Sequence, residues 1–222
     1  MTDCRRQATD SRFQTNDNWL PITIFWDVDD VLNDLMREWL SIYSQENSII
    51  VDYDQLTSNP PHELLGISIH DFRASLDNFR LSENFSKMKP VQPVYEWFES
   101  KAVNTRNMAL TATSIGTAHC SSSWVFKNYS KWIRTYHVVP SPRENEVIPE
   151  YDKDKIEAMS LLSPNGILID DNENNVKNAA LFGYTGMLFP RPWNSNAGKS
   201  INGFLDEINK ILEEQNQGRL HH

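Results

Sequence analysis

Five short runs of apolar residues are spread along the chain, and each predicts a buried β-strand. The runs are continuous rather than alternating in polarity, which is typical of parallel strands that are covered on both faces of a sheet. They occupy residues 22–26, 108–111, 136–139, 167–169 and 187–189. The pattern therefore favours a parallel sheet.

Helical patterns lie between and after these runs. A helix is predicted to begin near Gln92 with Pro93 in its first turn, and another to follow Asp170 and end near Gly183. The clearest apolar stripe at helical spacing comprises Ile201, Phe204, Leu205, Ile208, Ile211 and Leu212. Because strands and helices alternate, we predict an α/β fold with a doubly wound, Rossmann-like parallel sheet.

One long interval, residues 34–89, interrupts this alternation. It begins with a helical pattern, passes through the chain breaker Pro60-Pro61 and ends in an aromatic-rich stretch. We expect a small helical cap, inserted after the first strand, that acts as a lid over a site in the sheet. The remaining expectations are a core of residues 20–33 and 90–215, a flexible leader at 1–19 and a flexible tail at 216–222.

The amino-acid composition limits the kinds of molecule that the protein is expected to bind. The formal net charge of −9 disfavours binding to nucleic-acid polymers and to anionic membranes. Only two cysteines occur, residues 1–20 lack the apolar core of a signal peptide, and no apolar run is long enough to span a membrane. We therefore expect a cytoplasmic protein. Residues 127–134 interleave basic and aromatic side chains, and their spacing favours an amphipathic helix with a solvated face over a nucleic-acid surface.

Candidate chemistry follows the first strand. Asp27-Val28-Asp29-Asp30-Val31 comes directly after the run at 22–26. Alternate residues that leave a strand point the same way, so Asp27 and Asp29 are close enough to share a hard cation or to divide the roles of nucleophile and acid. The alternative is a turn whose aspartates cap the next helix.

Three further groups of candidate site residues lie next to later predicted strands. Thr111 and the backbone of Ala112 end the second strand and are candidates to hold a phosphate oxygen, with Thr113 or Ser114 as substitutes. Lys155 precedes the fourth strand and is a candidate to bind a phosphoryl group, with Lys153 as the fallback. Asp170-Asp171 follows the fourth strand. Two acidic pairs at two strand ends need a compensating cation.

In this order these residues resemble the four motifs of the haloacid dehalogenase (HAD) superfamily of aspartate-nucleophile phosphatases: D-x-D-x-[TV], a strand-terminal Thr or Ser, a Lys and an acidic pair. Within it, the sequence from Ile167 to Asn194 is similar to the 5'(3')-deoxyribonucleotidases, which pair an I-D-D segment with a downstream L-F-x-x-P-W-N segment. Two features depart from that family: Asp30 stands where glycine is frequent, and Thr111-Ala112-Thr113 replaces the usual Thr-Ser-Pro.

The resemblance implies roles for these residues. Asp27 would be the nucleophile and Asp29 the general acid and base, while Thr111, Ala112 and Lys155 would bind phosphate. Magnesium would be held by the Asp27 carboxylate, the Asp29 carbonyl and Asp170. Asp171 and Asn175 would support the site.

The implied function is a magnesium-dependent phosphomonoesterase acting on a nucleoside monophosphate. The alternatives are a phosphatase of another small metabolite or of a nucleic-acid terminus, and a non-catalytic phosphate-binding module.

Overall fold

The computed structural model describes residues 21–144, 146–147, 149 and 151–220. Its strands are β1 (Thr23–Trp26), β2 (Arg106–Thr113), β3 (Ile133–Pro140), β4 (Ile167–Asp170) and β5 (Thr185–Leu188). They form one parallel sheet in the order β3-β2-β1-β4-β5. From β1, the chain adds β2 and then β3 on one side of the sheet. Strands β4 and β5 then lie on the other side of β1. This order confirms the predicted doubly wound α/β fold.

Eight helices accompany the sheet in the described part of the chain. They are α1 (Leu35–Asn47), α2 (Ile69–Arg80), α3 (Glu83–Lys87), α4 (Gln92–Lys101), α5 (Ile115–Tyr129), α6 (Lys155–Leu162), α7 (Glu173–Leu181) and α8 (Ile201–Leu220). Pro93 lies in the first turn of α4, as predicted, where a missing backbone N–H costs no hydrogen bond. Helix α7 ends at Leu181, and Gly183 follows with φ 87°.

Two apolar cores cover the two faces of the sheet. On β1, Ile24 and Trp26 point into one cluster, and Phe25 points into the other. The first cluster includes residues of α4, α5 and α8, and the second includes residues of α6 and α7. All three β1 side chains are fully buried. Burial on both faces explains why the strand reads as a continuous apolar run.

The segment between β1 and α4 contains helices α1, α2 and α3 and a short 3₁₀ turn at Tyr53–Gln55. Its buried side chains belong to the same apolar cluster as one face of the sheet; they include Trp39, Leu40, Phe72, Leu76, Phe79 and Phe85. Ser68 and Ser82 begin α2 and α3 by accepting hydrogen bonds from backbone N–H groups. The inserted segment is therefore helical and packed against the sheet domain.

One sequence-based prediction is wrong in extent. The amphipathic helix predicted over residues 127–134 is not one helix, because α5 ends at Tyr129 and β3 begins at Ile133. Helix α8 continues past the predicted core boundary at residue 215 to Leu220, and the flexibility predicted for residues 216–222 stays a prediction. The predicted flexible leader, 1–19, lies outside the described residues.

Within the described ranges, no helix combines the length and the apolar character that crossing a membrane requires.

Candidate active site

The two acidic segments meet at the point where the strand order reverses. Asp27 directly follows β1, Asp170 ends β4, and these strands are hydrogen-bonded neighbours. Ligands of open α/β sheets bind at this switch point, beyond the carboxyl ends of the strands. Lys155 Nζ lies 2.8 Å from Asp27 Oδ2 and 2.7 Å from Asp170 Oδ2. The structure thus brings together three residues that are far apart in the sequence.

Asn33 organises the loop that follows β1. Its side-chain oxygen accepts hydrogen bonds from the backbone N–H groups of Asp30 and Leu35, at 3.1 and 3.0 Å. Its Nδ2 donates to Asp29 Oδ1 at 3.3 Å, and its own backbone N–H donates to the carbonyl of Val28. No motif or spacing in the sequence pointed to Asn33. Its side chain explains how a loop of consecutive aspartates keeps a fixed shape.

Asp30 is part of this scaffold. It has φ 60°, a left-handed conformation that glycine adopts freely and aspartate tolerates. Its carboxylate accepts a hydrogen bond from the backbone N–H of Met36 at 2.9 Å, and its carbonyl accepts one from Arg191 Nε. Burial raises the pKa of Asp30, and the charge of Arg191 opposes that rise. The positive φ gives a physical reason for glycine at this position in the family that the sequence resembles.

Three buried carboxyl groups share one lysine at the centre of the site. Burial raises the pKa of Asp27, with Lys155 opposing and Asp170 adding to the rise. Burial and Asp170 raise the pKa of Asp171 to about 6. Burial by itself would lower the pKa of Lys155, but the charges of Asp170 and Asp27 outweigh it and keep the lysine protonated. One lysine therefore compensates three buried carboxyl groups only in part.

The same three carboxyl groups are able to hold a divalent metal ion. Asp27, Asp170 and Asp171 each place one oxygen atom within 4.8 Å of the others. Carboxylate oxygens are the ligands that Mg²⁺ prefers, and the uncompensated charge favours a cation between them. The residues present fit magnesium on this donor chemistry. Asn175 Nδ2 donates to Asp170 Oδ2 at 3.0 Å and orients that carboxylate.

The candidate phosphate-binding residues border the same cavity, which has a volume of about 280 Å³. Thr111, Ala112, Thr113 and Lys155 all line it. The Thr111 hydroxyl is buried and has no hydrogen-bond partner among the described residues. A buried hydroxyl without a hydrogen-bond partner lowers the stability of the fold unless a ligand supplies that partner. Lys155 is buried in the cavity wall, whereas Lys153 is exposed and does not line the cavity.

Helix α2 supplies a wall of the cavity that the sequence analysis did not identify. Arg80 Nη2 lies 2.8 Å from Asp29 Oδ2, and Arg80 Nη1 lies 3.1 Å from Asp77 Oδ1. Asp77 in turn receives two hydrogen bonds from Arg143, which follows β3. A chain of ion pairs therefore joins Asp29 to the inserted segment and to the sheet domain. The sequence offered no local signal for these pairs, because their members are distant in the chain.

Other cavity residues form an apolar patch and a basic edge. The apolar side chains are Leu35, Met36, Ile69, Phe72 and Leu76. Arg73, exposed on α2, adds a further guanidinium beside Arg80 and Arg143. The arrangement can accept an anionic group at the strand ends and a less polar group against α1 and α2.

Comparison with solved structures relates the fold to hydrolases of the HAD superfamily. A HAD-superfamily hydrolase of subfamily IA from Geobacter sulfurreducens has a TM-score of 0.51 at 12% identity, covering 89% of this chain and 99% of the other. The HAD-hydrolase YfnB from Bacillus subtilis, solved with bound magnesium, has a TM-score of 0.54 at 13% identity, covering 87% and 99%. This chain has the same HAD-like, Rossmann-like fold.

A third similar structure is named as a kinase rather than as a hydrolase. Protein tyrosine kinase A from Mycobacterium tuberculosis has a TM-score of 0.58 at 11% identity, covering 87% of this chain and 98% of the other. No protein-family model matches the sequence, and no curated protein matches it either. At such low identity the likeness shows the fold alone, so the activity must be argued from the site.

Proposed function

We propose that the protein is a magnesium-dependent phosphomonoesterase that works through an aspartyl-phosphate intermediate. One observation carries the proposal. Lys155 joins the Asp27 and Asp170 carboxylates at the sheet switch point, and the unpartnered Thr111 hydroxyl lines the same cavity. A candidate nucleophile, a cation and a candidate donor for phosphate oxygens thus line one pocket, which supports a role in phosphoryl transfer.

The reaction would proceed in two displacements. In the first, a carboxylate oxygen of Asp27 attacks phosphorus, the bond from phosphorus to the ester oxygen breaks, and Asp29, which must enter this step in its protonated form, gives its proton to the departing alkoxide. In the second, Asp29 takes a proton from water, whose oxygen attacks phosphorus and displaces Asp27. Inorganic phosphate leaves, and the nucleophile and the acid return to their starting states.

The remaining residues would stabilise the transferring group. Thr111, the backbone N–H of Ala112 and Lys155 would donate hydrogen bonds to the phosphoryl oxygens, and they are held in place before substrate arrives. Magnesium, held by Asp27, the Asp29 carbonyl and Asp170, would neutralise negative charge on the phosphoryl group. Asn175 would orient this cluster, since it already donates to Asp170, and Asp171 would support it with a third carboxylate close to the ion.

The substrate class that we propose is a nucleoside or deoxynucleoside monophosphate. The apolar patch of the cavity, which includes Met36, Ile69 and Phe72, offers a surface for a base or sugar beyond the phosphate. The resemblance of the Asp170-Asp171 and Trp193-Asn194 segments to the deoxyribonucleotidases supports the same choice. The basic edge with Arg73 and Arg143 would instead favour a small, more highly charged phosphorylated metabolite.

The proposal is tested by phosphate release from a panel of ribo- and deoxyribonucleoside monophosphates and small sugar phosphates, with and without magnesium. Asp27→Asn removes the nucleophile with almost no change in shape, and we expect turnover to fall at least about 1,000-fold. Asp206→Asn is the matched control, because Asp206 is an exposed carboxylate on α8. Preference for a sugar phosphate would keep the mechanism and change the substrate. No magnesium-dependent release from any compound would reject the enzyme in favour of a binding module.

A further inference from the structure

Residues 191–194, which follow β5, donate hydrogen bonds to both acidic loops of the site, the loop after β1 and the loop after β4. Arg191 donates to the Asp30 carbonyl and to the Asn33 carbonyl, at 2.5 and 3.3 Å, and its Nη1 contacts Asp34 Oδ1. Two residues further along, Trp193 Nε1 donates to Asp171 Oδ2 at 2.8 Å. The segment therefore braces the loop after β1 against the loop after β4.

Trp193 is fixed in the orientation that this hydrogen bond needs. The Tyr53 ring packs against the indole in an edge-on contact, with ring centroids 5.8 Å apart. The Tyr53 hydroxyl accepts a hydrogen bond from Arg191 at 3.2 Å, so the ring that supports the indole is itself anchored. Asn194 Nδ2 donates to the Asp171 carbonyl at 2.9 Å and fixes the backbone beneath the carboxylate.

Asp171 has three polar contacts that leave one carboxylate oxygen for another partner. Its Oδ2 atom receives the Trp193 bond and a longer one, 3.4 Å, from Asn59 Nδ2. No hydrogen bond reaches its Oδ1 atom from the described residues, and Asp171 lines the cavity. A side chain that binds one oxygen of a ligating carboxylate sets the direction of the other.

We propose that Trp193 is a positioning residue for the metal site, and that its indole N–H holds the Asp171 carboxylate in the direction in which it faces a magnesium ion beside Asp27 and Asp170. The inference rests on the proposed function, because it needs the metal of that proposal. It goes beyond it by assigning a role to an indole that touches neither substrate nor metal. Residues that orient metal ligands typically contribute about 10- to 100-fold to metal affinity.

The test compares two Trp→Phe variants of the full chain. Trp193→Phe removes the N–H donor and keeps an aromatic ring against Tyr53. Trp97→Phe makes the same chemical change elsewhere, because Trp97 Nε1 donates to Asn209 Oδ1 at 2.8 Å in the packing of α4 against α8. Magnesium affinity is measured by calorimetry, and folding by circular dichroism.

We expect Trp193→Phe to weaken magnesium binding at least about tenfold, with Trp97→Phe within about twofold of the original protein. Equal affinities in the two variants would overturn the positioning role and leave the proposed function intact. A wild-type protein that binds no magnesium would overturn both.

If Trp193→Phe does not fold, the positioning role of Trp193 can still be tested on the wild-type protein. In the ¹H–¹⁵N spectrum of the assigned wild-type protein, magnesium is expected to shift the Trp193 indole resonance and to leave the Trp97 indole unchanged. A Trp193 resonance that does not respond to saturating magnesium would overturn the inference.

Discussion

Arg80 on helix α2 and Asp29 after strand β1 form a buried ion pair, with 2.8 Å between Arg80 Nη2 and Asp29 Oδ2. Their side chains are 6% and 14% exposed. The pair is the direct link between the inserted helices and the proposed general acid and base. Because Arg80 also contacts Asp77, which Arg143 holds, the position of Asp29 depends on both parts of the chain.

Removal of the guanidinium is expected to destabilise the protein. Arg80→Gln leaves Asp29 without its buried cationic partner, and we expect a loss of about 3 kcal/mol in the free energy of unfolding. The exposed pair of Lys87 and Glu83 is the control, so Lys87→Gln should cost less than about 0.5 kcal/mol. Urea unfolding measures both. Equal, small losses would show that the Asp29–Arg80 pair contributes little to stability.

Replacement of Thr111 and Thr113 by valine is expected to rank the two positions oppositely in stability and in kcat/KM. The Thr111 hydroxyl is buried and finds no hydrogen-bond partner in the described part of the chain, so Thr111→Val should leave stability unchanged or raise it. If that hydroxyl binds the phosphoryl group, kcat/KM should fall about 10- to 100-fold, the value of a hydrogen bond to a charged group.

Thr113 is the matched position for that comparison. Its hydroxyl is hydrogen-bonded to that of Thr117 at 3.3 Å, so Thr113→Val should cost about 1 kcal/mol of stability. Its loss of kcat/KM should be smaller than that of Thr111→Val. Steady-state kinetics and urea unfolding of both variants decide the matter. The opposite ranking in kcat/KM would make Thr113 the phosphate-binding residue.

The sequence located the parts of the site that depend on local patterns. Asp27 and Asp170 were predictable because apolar runs mark strands, and residues at the ends of parallel strands meet at one edge. The helix predicted over residues 127–134 is wrong beyond residue 129, since Ile133 is apolar but faces the core from a strand. Apolar spacing alone does not show where a helix gives way to a strand.

The unpredicted contacts are those set by tertiary packing. Arg80 and Asp29 are 51 residues apart, and Trp193 and Asp171 are 22 residues apart. No period or motif in a single sequence connects such positions. In the sequence, Trp193 and Asn194 stand out only as part of the segment that resembles the deoxyribonucleotidases, and their hydrogen bonds to the Asp171 loop give that segment a physical role.

Replacement of Lys155 is expected to affect both turnover and stability. Lys155→Met removes the cation between Asp27 and Asp170, so we expect a loss of about 3 kcal/mol in stability at neutral pH. Turnover should fall at least about 100-fold, because the phosphoryl group loses a charged donor. Lys153→Met, at an exposed position two residues away, is the control. If the control instead shows the larger loss of turnover, Lys153 is the phosphate-binding lysine.

Asp30→Asn is expected to stabilise the protein at neutral pH. Burial raises the pKa of Asp30 above its ordinary value of 3.8, so the folded state binds the proton more tightly than the unfolded state. Stability is then lost as the pH rises from the unfolded pKa through the higher folded pKa, and the cost is absent below both. Asparagine keeps an oxygen for the Met36 N–H and tolerates a positive φ.

The variant should therefore be more stable than the original protein at about pH 7.5, and the difference should shrink towards about pH 4. Urea unfolding across this range measures it, with Asp206→Asn as the exposed control that should show little change. A variant that is less stable at pH 7.5 would mean that the attraction between Asp30 and Arg191 outweighs the cost of burial. In that case the aspartate at this left-handed position would be a stabilising partner of Arg191, and the brace across the two acidic loops would depend on its charge.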